Sequence, residues 1–290
     1  MSLFNSALRR LFDLLLWPFH TLPAAVGLLF VSLLAAIGML LIFKRTSNQE
    51  RLEAVKRQIF AGVFEIRLFN DNFKLIWKAQ SSILRHNLTY LRLSLVPMLF
   101  ILPPLAFVIA QLQFHYAYAP PAAGDRTLLV ATLSADWQAG GHVPVSASGK
   151  PQATLELPAG LVEETPALWI PGERTLTWRL RVERPGDDVL GIRLGDKRYD
   201  KELGATGALA RRSPVRPGRS WWEQFVYPAE RPLPAGGVLS EIRIDLEPAT
   251  VALPFWRVHE MLGVPAWMTV FFLFSIVFAF ALKNRLGVTI

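Results

Sequence analysis

Three long stretches of this chain carry no charge, and they constrain its fold more than any other feature. Leu14 to Phe43 contains no Asp, Glu, Lys or Arg, and its densest part, Ala24 to Phe43, is 20 residues. Leu93 to Leu112 is another 20 residues, and Met261 to Leu282 is 22. At a rise of about 1.5 Å per residue, each covers one hydrocarbon core of roughly 30 Å. The pattern predicts three membrane spans: residues 21–43, 93–113 and 261–284. The first block ends in Phe43-Lys44-Arg45 rather than in small residues before a cleavage site, so it reads as an uncleaved span. In the third, Trp267 stands at one end and Lys283 and Arg285 flank the other, pairing an aromatic interface anchor with a basic stop.

The charges between the spans set an orientation. Residues 44–92 hold ten Lys or Arg against four Asp or Glu, whereas residues 113–260 hold 17 against 18. Basic connections stay in the cytoplasm. The reading is a multi-pass inner-membrane protein with its N-terminus outside, a basic cytoplasmic connection at 44–92, an outer domain at 114–260 and a short cytoplasmic tail at 285–290. The net charge of +8 is then a topology signal, and nucleic-acid binding is set aside. Ahead of the first span, Leu3, Phe4, Leu8, Leu11, Phe12, Leu15 and Leu16 recur at helical spacing. Residues 1–20 read as an amphipathic helix on the outer interface; the plainer alternative is an early start to the first span.

The basic connection has its own periodicity. Leu52, Val55, Ile59, Gly62, Ile66, Phe69, Phe73, Ile76, Gln80 and Ile83 lie on alternating steps of three and four, a coiled-coil-like seam widened by Phe60, Val63, Phe64 and Trp77. Ser47 followed by Glu50 is a capping box that predicts a helix start. The turn-prone triplet Asn70-Asp71-Asn72 divides the segment into two arms. A helical hairpin results, with one long surface helix as the alternative.

Beyond Arg126 the period changes to two. Thr127–Leu133, Ala153–Leu157, Thr175–Val182, Val189–Leu194 and Ser240–Leu246 read as strands, separated by Pro-Gly pairs. They predict an all-β sandwich outside the membrane. Between them, Arg211, Arg212, Arg216 and Arg219 form a basic run before Trp221-Trp222. Two readings fit: contact with anionic lipid headgroups, or a long mobile loop.

Signatures of chemistry are few. With no cysteine, thiolate ligands and nucleophiles are excluded. His20, His86, His115, His142 and His259 share no metal-ligand spacing. There is no phosphate-binding loop, dinucleotide fingerprint or serine-hydrolase elbow. The adjacent pairs Glu163-Glu164 and Asp187-Asp188 read as solvated turn residues. No cofactor, metal or catalytic residue is expected, and an enzyme is disfavoured. Pro97, Pro103 and Pro104 interrupt the hydrogen-bond ladder of the second span, as a kink or beside a cavity.

The order of parts is specific: outer N-terminus, span, basic cytoplasmic hairpin, span, and a last span with the C-terminus inside. It resembles the three-span core of the YidC/Oxa/Get superfamily of membrane insertases, over Lys44 to Gln113 and Pro265 to Arg285. That resemblance implies a polar, membrane-open groove between the spans and a hairpin that receives nascent or partner membrane segments. It places Arg85, His86, Asn87, Arg92, Gln111 and Gln113 as candidates along such a groove. The expected function is insertase-like or chaperone-like assistance to membrane-protein assembly, with the outer domain docking a protein partner. The alternative is a scaffold subunit of an envelope complex.

Overall fold

The computed structural model describes residues 2–69, 71–138, 143–186, 188–204, 209–253, 256–258, 260–261 and 263–289. The chain divides into two compact units: residues 1–27 with 109–268, and residues 28–108 with 269–290.

The first unit carries a β-sheet domain. Its larger sheet contains β1 (Arg126–Leu133), β3 (Leu161–Ile170), β4 (Thr175–Val182), β7 (Val215–Arg216) and β8 (Leu239–Ile244), in the order β3-β4-β1-β8-β7. A second sheet contains β2 (Ala153–Glu156), β5 (Asp188–Leu194) and β6 (Lys197–Gly204), in the order β2-β5-β6. Every pairing in both sheets is antiparallel.

Alternation explains how one core serves both sheets. In β4, Leu176, Trp178, Leu180 and Val182 are buried while Arg179 is exposed, as the pleat requires. Leu129 of β1 sits opposite Trp178. Leu190, Ile192, Leu194 and Tyr199 of the smaller sheet belong to the same hydrophobic cluster.

Three strands of these sheets, β3, β6 and the two-residue β7, escaped the sequence pattern. β3 contains Pro166, which has no N–H to donate; the strand lies at a sheet edge and its register slips on both sides of Thr165. β6 points Tyr199, Lys201 and Leu203 inward, so a lysine occupies one of the positions where the period-two pattern calls for an apolar residue. The chain enters and leaves the domain side by side: Ala119 N–H donates to the Glu247 carbonyl at 2.8 Å, and Ala249 N–H donates to that of Ala117 at 2.8 Å.

An N-terminal helix, α1 (Ser2–Leu16), belongs to this unit. Phe12 and Leu16 are buried, whereas Leu11, Leu14 and Trp17 are exposed. Its polar side is fastened to the β domain. Asn5 Nδ2 donates to the Gln224 carbonyl at 2.8 Å, and Arg9 Nη1 to that of Ala229 at 3.1 Å. Gln224 lies in α5 (Trp221–Val226).

The second unit is helical. Among the described residues, two helices are long and apolar enough to cross a membrane: α2 (Ala24–Thr46) and α4 (Phe73–Tyr116). Between them is α3 (Gln49–Leu68). Its N-cap is Asn48, whose side chain accepts from Arg51 N–H at 3.0 Å. The expected cap, Ser47, instead donates its hydroxyl to the Phe43 carbonyl at the end of α2. Helix α3 ends at Leu68, and Asn72 caps the next helix by accepting from Leu75 N–H at 3.3 Å; Asn70 of the predicted turn lies outside the described residues.

α4 is 44 residues and remains helical through Pro97, Pro103 and Pro104. The second hairpin arm and the second apolar block are therefore one helix of about 66 Å, not two elements. The last helix, α6 (Ala266–Leu282), has 17 residues, about 26 Å. It starts five residues later than the apolar block. Ahead of it, Glu260–Met261 and Val264–Pro265 pair as a two-stranded ribbon turned at Gly263, whose φ is +76°.

After α6 the chain folds back. Lys44 Nζ donates to the Leu286 carbonyl at 2.7 Å and Thr289 N–H to Gln49 Oε1 at 2.6 Å. Leu40, Phe43, Leu52 and Val288 form a small core there. The C-terminal ends of α2 and α6 consequently meet at one end of the unit.

Candidate functional site

The arms of the hairpin, α3 and the first part of α4, come into close contact at Gly62. A Cβ built there would come within 2.6 Å of Ile83 Cγ1. Glycine is what allows the arms this near. Of the predicted seam, Leu52 and Val55 are buried; Ile59, Ile66, Ile76 and Ile83 are half-buried; Phe69 and Phe73 are exposed.

The rest of the apolar face is uncovered. On α3, Phe60, Val63, Phe64 and Leu68 are exposed, at spacings that stack them along one side. On α4, Phe73 is 78% and Trp77 67% exposed, followed by exposed Leu84, Leu88 and Leu91. Isolated apolar residues on a surface are ordinary, but these follow one another along both arms. Arg51, Arg57, Arg67, Lys74, Lys78, Arg85 and Arg92 stand exposed on the same arms, so the ridge is set in a basic field.

The six groove candidates fall into two groups on α4. Arg85, Asn87 and Arg92 are exposed, and His86 is half-buried with Nδ1 3.4 Å from Ser82 Oγ. The Asn87 amide donates to the Ile83 carbonyl at 3.0 Å. Gln111 lies about 28 Å further along the helix and is only 1% exposed. Its Oε1 meets no hydrogen-bond partner among the described residues. Gln113 Nε2 donates to the Tyr118 hydroxyl at 3.3 Å.

The basic run before Trp221-Trp222 is built into the β domain, with Val215–Arg216 forming β7. Arg211 Nη1 reaches both Asp13 oxygens, at 2.9 and 3.1 Å. Arg212 is 1% exposed and donates to the Tyr118 carbonyl at 3.2 Å; burial lowers its pKa. Arg216 Nε donates to the Arg231 carbonyl at 3.1 Å and its Nη1 to that of Asp200. Of the four, Arg219 alone is exposed, beside exposed Trp221 and Trp222, whose rings meet edge to face at 5.7 Å.

Other polar features have structural partners. Glu164 pairs with Arg126 at 3.0 Å. Buried His115 places Nδ1 2.8 Å from the Leu209 carbonyl. His142, Asp187 and His259 lie outside the described residues. Among the described residues no cluster of three His, Asp or Glu is arranged to hold a metal ion.

Sequence reading missed Arg9 and Asp13 of α1 as anchors, and missed the buried pair Lys201–Glu230. Asp13, the single acid in residues 1–20, was the available signal for the first. Comparison with family models, curated proteins and solved structures found no match for this chain.

Proposed function

We propose that this is a non-enzymatic integral membrane protein whose hairpin receives apolar segments of other membrane proteins during their insertion or assembly. The observation that carries the proposal is the exposed ridge from Phe60 to Trp77, flanked by basic side chains. A solvent-facing ridge of this kind gains free energy by covering an apolar helix, at about 25 cal/mol per Å² removed from water. α2, the later part of α4 and α6 serve as the three spans, and the β domain, a sandwich sharing one core, lies outside. The meeting of the α2 and α6 ends supports a cytoplasmic placement of both, since Lys44, Arg45, Lys283 and Arg285 then share one side.

Photocrosslinking in inverted membrane vesicles tests this reading. A crosslinker at Phe64, Phe73 or Trp77 should capture newly made membrane segments of several different proteins, while one at exposed Glu53 should not. Equal capture at Glu53 refutes a role for the ridge.

A second reading has its own support. Burial of Gln111 at one end of the expected polar path favours a scaffold that holds one fixed partner on the hairpin and another on the β domain. Membrane proteomics after depletion separates the two: loss of many unrelated clients supports insertion, and loss of a single complex supports scaffolding.

A further inference from the structure

Five arginines converge on one cleft of the unit that carries the β domain. Arg9 and Arg10 come from α1, Arg211 and Arg216 from the segment around β7, and Arg231 from the chain after α5. The cleft has a volume of about 530 Å³. Four acids share its walls, and three of them are already engaged. Asp13 holds Arg211 at 2.9 Å, Asp200 holds Arg198 at 3.0 Å, and Glu230 holds the buried Lys201. Glu202 is the one acid of the lining without such an ion pair among the described residues, so the five arginines keep a surplus of positive charge.

Arg9 registers that surplus. Its guanidinium is fixed by the Ser6 hydroxyl at 2.7 Å and the Ala229 carbonyl. Its pKa is lowered first by burial and then by the Arg211 charge; Arg231 adds to the effect, while Glu202 and Asp13 oppose it. Like charges held together in a partly desolvated cleft are stabilised by an anion that engages several of them at once. Planar guanidinium forks match the oxygens of a phosphate. Ser6, which accepts from Arg9, keeps its own hydroxyl proton as a neutral donor.

The setting indicates how such an anion arrives. Arg10, Leu14 and Trp17 follow helical spacing of four and three, and Leu14 and Trp17 are exposed. A basic residue at one end of an apolar strip suits a lipid whose chains cover the strip. We propose that this cleft binds a phosphate group, presented either by an anionic phospholipid headgroup or by a soluble phosphate. The proposal is independent of what the hairpin does.

Native mass spectrometry of the full-length protein in zwitterionic detergent tests it, with phosphatidylglycerol, phosphatidylcholine and inorganic pyrophosphate as probes. The variant R10Q/R231Q removes two exposed side chains for which no hydrogen bond or ion pair is seen among the described residues. R219Q, exposed and outside the cleft, is the control, and thermal midpoints confirm that both variants fold. The wild type should retain phosphatidylglycerol over phosphatidylcholine. Retention should weaken about tenfold for each cleft arginine removed and stay unchanged in R219Q. Displacement of the lipid by pyrophosphate, with that preference, assigns a headgroup; pyrophosphate binding lost in R10Q/R231Q without a lipid preference assigns a soluble phosphate. Equal retention of both lipids with no pyrophosphate binding overturns the proposal, as does equal behaviour of R10Q/R231Q and R219Q.

Discussion

The buried pair Lys201–Glu230 makes the sharpest prediction for the β domain. The two side chains are 0% and 4% exposed. The Lys201 ammonium uses all three of its donors, on a Glu230 oxygen, the Ser213 carbonyl at 2.7 Å and the Glu202 carbonyl at 2.8 Å. Replacing Glu230 by Gln keeps the shape but leaves a buried cation without its counter-charge, which costs about 3–5 kcal/mol. Replacing both residues by Met removes the charges together and costs only about 1–2 kcal/mol, for the carbonyls that lose a donor. At about 1.4 kcal/mol per decade, E230Q should raise hydrogen exchange of the β5 and β6 amides roughly 100-fold or more, and K201M/E230M about tenfold.

The pH dependence carries a sign. Burial raises the Glu230 carboxyl above its ordinary value, against the pull of Lys201 in the other direction. An acid whose folded pKa is raised contributes stability below its unfolded pKa and loses it as pH rises through the folded value. In K201M the counter-charge is gone, so the defect should be small in mild acid and grow toward neutral pH, after correction for intrinsic exchange. The assay is exchange mass spectrometry on the full chain in micelles. An E230Q effect below about threefold, or a double variant as damaged as the single ones, refutes the reasoning.

Three further predictions follow the same logic at other contacts. Gly62→Ala brings a Cβ against Ile83 and should destabilise the hairpin by about 1–3 kcal/mol; adding Ile83→Ala should restore much of the loss, read as exchange protection of α3. Gly218→Ala places a Cβ 2.7 Å from the Ser240 carbonyl oxygen. That backbone cannot yield as a flexible side chain would, so the thermal midpoint should fall while G62A/I83A recovers. Asp13→Ala breaks a pair open to solvent on one side; it should cost at most about 1 kcal/mol, detectable as faster proteolysis within α1 with the β domain intact.

What was legible in the sequence follows from where each residue finds its partner. β4 was readable to the residue, because Leu176, Trp178, Leu180 and Val182 alternate without exception. β6 was not, because Lys201 sits where an apolar residue belongs and its counter-charge is 29 positions away. β3 hid behind Pro166, whose missing donor is harmless only at an edge, and edges are a property of the assembled sheet. The prolines of α4 interrupt its hydrogen-bond ladder, yet the helix runs on through them, since each proline removes a single bond. The Arg211–Arg219 run looked like a loop because its partners, Asp13 and the carbonyls of Tyr118, Asp200 and Arg231, lie elsewhere in the chain. The apolar ridge was visible as excess width of the predicted seam at Phe60, Val63, Phe64 and Trp77. That the width remains uncovered is information only the folded chain supplies.

The paired backbone bonds where the chain enters and leaves the β domain, Ala119 to Glu247 and Ala249 to Ala117, give that domain the character of a cassette. Antiparallel neighbours stand about 5 Å apart, a gap that a two-residue turn closes. An Asn-Gly turn in place of the segment between them spans the same gap, while the last turn of α4 gives up the contacts of Phe114 and His115 with Arg212 and Leu209. α1 would feel the loss first, since Asn5, Arg9 and Asp13 take their partners from the excised part. A chain so shortened separates what the helices do alone from what they do with the domain attached.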